Sequence, residues 1–207
     1  QQIIPKAWEA DKNDSDKMAQ NVYEYTKETI EKFQQTGVEI GMVQIGNEIT
    51  NGMLGITTNR DAGESYKGIW ANESKSKQVN KYLSAGSKAV KEVSDALVVL
   101  QLETPNVKKF KEIMDTWERD DVYYDVLGSS YYPYWSTDEK ANTPETLTKV
   151  QKLAADYGKL FVVLETSWLT TVKDADGTPN SIGEWDNTSA YPLSAQGQTN
   201  MLKDLYT

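Results

Sequence analysis

The 207 residues contain neither cysteine nor histidine. Without cysteine there is no disulfide and no thiolate chemistry, although this leaves the compartment open. Without histidine, Ser-His-Asp and Cys-His nucleophilic machinery is excluded within the chain, as are His-based zinc sites. Acid–base chemistry near neutral pH then falls to carboxylates, tyrosine or lysine. Basic clusters are missing too. Lys and Arg total 22 against 31 Asp and Glu, a formal net charge of −9. That balance disfavours a phosphate-backbone partner, so an uncharged ligand is expected and nucleic acid is not. No apolar run reaches the roughly 18–20 residues of a membrane span. The opening Gln1-Gln2-Ile3-Ile4-Pro5 has no basic region of the kind that starts a signal peptide, and it resembles the interior of a longer chain.

What is present is an ordinary folded composition, 38% apolar and 26% charged. Helical spacing runs from Asp14 to Gln35, with a cap among Asn13, Asp14 and Ser15, an apolar stripe of Met18, Val22, Tyr25, Thr29, Ile30 and Phe33, and a stop at Gly37. Val38 to Ile45 reads as a buried strand, followed by a long polar loop with Gly52, Gly55, Gly63 and Gly68. Further helices are expected at Ser76 to Val93, Asn106 to Arg119, Pro144 to Tyr157 and from about Ser194. Further strands are expected at Ala96 to Leu102, Tyr124 to Tyr131 and Leu160 to Leu164. Alternating helices and two-face apolar strands predict a parallel α/β sheet with right-handed crossovers. Four strands suit an open sheet or half of a (β/α)8 barrel, which takes about 250 residues. No linker or low-complexity tract divides residues 1–207, so one domain is expected.

Two of the strands end on glutamate, in Val43-Gln44-Ile45-Gly46-Asn47-Glu48 and in Leu160-Phe161-Val162-Val163-Leu164-Glu165. Function gathers at strand C-terminal ends in parallel sheets. Paired carboxylates at such a rim are what a retaining glycosidase needs, one to protonate the leaving oxygen and one to attack across about 5–5.5 Å. Each glutamate alone would pass for a loop-edge or strand-terminal surface residue. Asn47, beside Glu48, is placed to bond a sugar 2-hydroxyl.

The segment Gly46-Asn47-Glu48-Ile49-Thr50-Asn51-Gly52-Met53-Leu54 closely resembles the acid/base region of the endo-β-1,4-galactanases of glycoside hydrolase family 53. Pro5-Lys6-Ala7-Trp8, Ser129-Ser130-Tyr131-Tyr132-Pro133-Tyr134-Trp135 and Glu165-Thr166-Ser167 are similar to the same family in the same order. The resemblance implies a (β/α)8 barrel of the large retaining clan, of which this chain covers roughly the fourth to seventh strands and their helices. The rest of the barrel is then expected from segments outside these residues. It further implies Glu48 as acid/base, Glu165 as nucleophile, and Tyr131 as a hydrogen-bond partner of the nucleophile. The chain departs from the family pattern at Gly55, where a Trp is usual, and at Gln101, where a His is frequent.

Aromatic faces stack on pyranose rings, so Trp135 is the leading candidate for a sugar contact, with Trp8 and Trp168 behind it; packing is the competing role for all three. In Asp174-Ala175-Asp176-Gly177-Thr178-Pro179-Asn180, oxygen side chains alternate around a glycine. Asp174, Asp176, Thr178 and Asn180 suit a structural Ca2+, and the family's bacterial members carry calcium in a similar loop; a solvated acidic turn is the other reading. The expectation is a secreted enzyme that hydrolyses β-1,4-galactosidic linkages of galactan or type I arabinogalactan by two-glutamate double displacement. The alternatives are another retaining β-glycanase of the clan, acting on mannan or xylan, or a non-catalytic carbohydrate-binding barrel.

Overall fold

The structure, a computed structural model, describes residues 3–135, 143–173, 177 and 190–207. Helix α1 (Ser15–Gln35) is followed by strand β1 (Met42–Gln44), a hairpin of β2 (Gly52–Met53) and β3 (Ile56–Thr57), and a short α2 (Lys67–Trp70). Then come α3 (Glu73–Val93), β4 (Leu97–Leu102), α4 (Val107–Arg119), β5 (Val126–Tyr131), α5 (Pro144–Asp156), β6 (Leu160–Thr166) and α6 (Ala195–Tyr206). The main sheet has the order β1-β4-β5-β6, with every neighbouring pair parallel. This is half of a (β/α)8 barrel sheet.

Caps explain where the long helices begin. The Asp14 carboxylate accepts from the backbone N–H groups of Asp16 and Lys17, and Asn72, Asn106, Thr143 and Ser194 each cap one later helix the same way. Each cap meets a donor that the helix itself cannot, a gain of about 1 kcal/mol. Gly37, at φ +81°, carries the chain away from the end of α1.

Strand β4 alternates in the way a barrel strand should. Val98, Leu100 and Leu102 enter the core formed with the helices, among Met18, Leu83, Phe110, Ile113 and Trp117. Successive helices α1, α3, α4 and α5 touch in that order, a single layer over that face. By the two-residue period, Val99 and Gln101 point to the opposite face.

Three expectations need correction. The strand read over Val38 to Ile45 is regular only at Met42–Gln44, because among the described residues β1 pairs on one side alone, with β4. The apolar stripe of α1 is not all core: Tyr25 and Phe33 are 64% and 55% exposed. They line hollows along the unpaired side of β1, where Trp8 meets Tyr25 only edge-on. The long polar loop holds the β2–β3 hairpin and α2, elements too short for periodicity to reveal.

Helix α3 lies so close to the end of β1 that a Cβ at Gly86 would stand 2.8 Å from Ile45 Cγ2. Gly86→Val in the full-length protein should therefore destabilise by about 1–3 kcal/mol, outweighing the roughly 0.5 kcal/mol that a helix gains when valine replaces glycine. A urea titration measures this, and an unchanged midpoint would show that Ile45 yields freely.

Candidate active site

The side chain of Gln101 organises the rim. It is 0% exposed. Its Nε2 donates to Glu165 Oε1 at 2.8 Å and to Ser130 Oγ at 2.9 Å. Its Oε1 accepts from the backbone N–H of Glu48 at 3.0 Å and from Gln44 Nε2 at 2.7 Å. Both donors and both lone pairs of the amide are thus engaged. An unmet buried polar group costs about 1–3 kcal/mol, so this saturation is what lets an amide sit in the strand interior. The four partners come from the ends of β1, β5 and β6, so one side chain ties the sheet together where its carboxylates converge.

Glu48 is held by an unusual backbone. Gly46 has φ +74°, and a Cβ there would lie 2.6 Å from Ile49 Cγ2. Two residues later Glu48 itself adopts φ +45° and ψ +51°, the left-handed region. For a residue with a Cβ that costs about 1–2 kcal/mol. The bond from its N–H to Gln101 and the complete burial of Ile49 hold it in place. Such outliers cluster at functional sites. The turn puts Glu48 in a cleft lined also by Glu103, Thr104, Ser130, Tyr132 and Trp135.

A β-bulge brings Glu165 beside that cleft, hydrogen-bonded to Tyr132 of its lining. Ser129 pairs with Val163 and Ser130 with Glu165, so Leu164 is the extra residue of β6. A bulge re-aims the side chains around it. Here Leu164 and Glu165 both serve the inner face: a Cβ on Gly128 would meet Leu164 Cδ1, while Glu165 takes the Gln101 bond. The second carboxylate oxygen, Oε2, accepts from Tyr132 Oη at 3.0 Å. The hydroxyls of Tyr134 and Ser167 are hydrogen-bonded at 2.6 Å. Trp135, 43% exposed, lies 4.6 Å from Tyr132 and 5.3 Å from Tyr134 between ring centroids.

The family model for glycosyl hydrolase family 53 matches residues 1–207. The chain belongs to glycosyl hydrolase family 53. It is 37% identical to an endo-beta-1,4-galactanase of Bacillus subtilis (strain 168), over 99% of this chain and 43% of that protein. To an arabinogalactan endo-beta-1,4-galactanase of Cellvibrio japonicus (strain Ueda107) it is 30% identical, over 99% of this chain and 52% of the other. The solved Ignisphaera aggregans GH53 catalytic domain superposes with a TM-score of 0.78 at 28% identity, covering 99% of this chain and 52% of that one. A structure of fungal beta-1,4-galactanases shares the fold, with a TM-score of 0.73 at 22% identity over 99% and 57% of the two chains. The chain thus spans about half the length of these family 53 relatives.

Against this family 53 frame, several expected residues lie elsewhere. Tyr131 does not bond Glu165; Tyr132 does. The inner face of β5 carries Gly128 and Ser130, so period two delivers Tyr132 to the cleft, and Tyr131 packs in a second core with Trp168 and Met201. Trp168 is 2% exposed, donates Nε1 to the Pro192 carbonyl at 3.3 Å and packs on Tyr134 and Tyr191. Trp8 meets Tyr25 edge-on at 6.0 Å beside the free side of β1. Neither tryptophan lines the cleft that holds Glu48. Asn47 sits at the rim, its Oδ1 accepting from Gln44 Nε2 at 3.1 Å. Asp174, Asp176, Thr178 and Asn180 lie outside the described residues.

Burial, and next the bond to Glu165, raise the Tyr132 phenol pKa well above its ordinary value of 10. The folded state therefore holds a proton that the unfolded chain releases near pH 10, so this tyrosine's contribution to stability declines as pH climbs past about 10. Burial raises Tyr66, Tyr124, Tyr131 and Tyr191 as well, so an ultraviolet titration of the full-length protein should show a late-ionising group of tyrosines that is smaller by one in Tyr132→Phe; an unchanged late group would contradict the geometry.

Proposed function

We propose that the protein to which this chain contributes is an endo-acting, retaining β-1,4-galactanase of galactan or type I arabinogalactan. The observation that carries this reading is the convergence of Glu48 and Glu165 on one rim through the single amide of Gln101. The curated relatives named as galactanases support the substrate class. In the proposed sequence the Glu48 carboxyl protonates the departing glycosidic oxygen while the Glu165 carboxylate attacks the anomeric carbon, forming a glycosyl ester with inverted configuration. Glu48, now ionised, takes a proton from water, whose oxygen displaces Glu165 and restores the original configuration. Asn47, whose Oδ1 faces Gln44 Nε2 at 3.1 Å, offers Nδ2 to the sugar 2-hydroxyl. Trp135 supplies an exposed aromatic face for the apolar side of a galactose ring.

The net charge of −9 suits a neutral polymer. A polymer too large to import implies a secreted enzyme. The remaining half of the barrel would cover the free sides of β1 and β6 and complete the groove. Glu165→Ala in the full-length protein should lower galactan hydrolysis on the order of 10³-fold or more. Added azide should restore turnover and yield the α-azide, because azide fits the space the carboxylate leaves. Substantial unaided turnover would remove Glu165 as nucleophile, and preferential release from mannan or xylan would change the substrate.

A calcium ion held by Asp174, Asp176, Thr178 and Asn180 is part of the same proposal, supported by the spacing of hard oxygen donors. Calcium that binds only the native state raises the melting temperature. Chelation should lower the melting temperature of the full-length protein, and Asp174→Ala together with Asp176→Ala should abolish that response. A melting temperature indifferent to chelator would dismiss the site.

A further inference from the structure

We propose that Gln101 is a positioning residue that aligns the nucleophile and the acid/base through one non-titrating amide. The inference rests on the two-glutamate reading above and adds a part to it.

The orientation of the amide is dictated by its neighbours. The Glu48 N–H can only donate, so Oε1 must face it. A carboxylate can only accept, so Nε2 must face Glu165. Turning the amide over would set oxygen against oxygen and nitrogen against a donor at the same time. The side chain is therefore locked, and it transmits that lock in two directions. One end fixes a carboxylate oxygen of Glu165. The other satisfies the backbone of Glu48 in its left-handed turn, whose conformation decides where the Glu48 carboxyl points.

The electrical character of the bridge matters as much as its shape. Among the described residues the hydrogen-bond partners of Glu165 are Gln101 and Tyr132, and both are neutral. An oxocarbenium-like transition state places positive charge beside the nucleophile. A lysine or arginine in Gln101's place would hold the carboxylate equally well but would oppose that charge. A second carboxyl would introduce a group that titrates. The amide does neither.

Titratable groups near Gln101 are Glu48 after β1, Glu103 at the end of β4, Tyr132 and Tyr134 after β5, and Glu165 on β6, with Lys109 of α4 held at the Glu103 carbonyl at 2.9 Å. The four groups that bond Gln101 directly include no cation, so a carboxyl at position 101 would gain no ion pair from them. Gln101→Glu keeps the shape but puts a carboxyl oxygen against Glu165. Two such groups share a proton until the pH exceeds the raised second pKa. Below that point the new carboxyl donates to Glu165 as the amide did. Above it, the donor is lost and two charges repel.

The experiment compares kcat and KM on galactan across pH for the full-length wild type, Gln101→Glu and Gln101→Leu. Gln101→Glu should move the alkaline limb of kcat/KM down by about one unit or more, with activity partly regained in acid. Gln101→Leu should lower kcat on the order of 10²-fold with KM little changed. A merely structural role would scale activity equally at every pH, and an unshifted Gln101→Glu profile on an active wild type overturns this inference alone. Should Gln101→Leu fail to fold, the isosteric Gln101→Glu still decides. A wild type inactive on galactan, mannan and xylan alike would remove the two-glutamate reading and this inference with it.

Discussion

Parallel register is the constraint on which the rest of this structure depends. Gln44 pairs with Val99, Gln101 with Gly128 and Ser130 with Glu165. These pairings bring four strand ends to one rim and place inner-face side chains from neighbouring strands within bonding distance of one another. A slip of one residue anywhere in the sheet would turn that strand's inner residues toward the helices. The helix-side packing of Val98, Leu100 and Leu102 against Phe110, Ile113 and Trp117 prevents the slip. The apolar half of each strand therefore holds the chemistry of the polar half in place, even though the two never touch.

Much of this order was legible in the sequence. Alternating apolar runs and capped helices announced a parallel α/β sheet, and helix starts at Asp14, Asn106, Pro144 and Ser194 lie within about a residue of the observed ones. The two terminal glutamates stood out as a pair at equivalent strand ends, since either alone would pass for a surface residue. Other features needed the structure. The wide stripe of α1 looked like core because periodicity reports apolar spacing, not what covers it. The β2–β3 hairpin is two residues per strand, shorter than any window that averages over a pattern.

The site itself was half legible. Tyr131 was taken over Tyr132 on the family resemblance, and the aromatic run itself carries no sign of which residue faces inward. The signal was one step away: Ser130 and Gly128 are small and sit at the same parity as Tyr132. Gln101 gave a similar hint, as a lone amide within Val98-Val99-Leu100-Gln101-Leu102, and its four partners lie up to 64 residues away in the chain. Local patterning cannot announce a contact of that kind. Glu103, which accepts from Asn51 Nδ2 at 2.6 Å, joined the cleft for the same reason.

The bulge in β6 has a consequence for how the inner face of the sheet can change over time. With Leu164 turned inward, its Cδ1 occupies the place that a side chain on Gly128 would need, 2.5 Å from an added Cβ. One strand contributes a large residue and its neighbour contributes none, so the two positions divide a single volume between them. Enlarging residue 128 demands shrinking residue 164, and a lineage can alter this part of the sheet's inner face only by passing through a clash or a void.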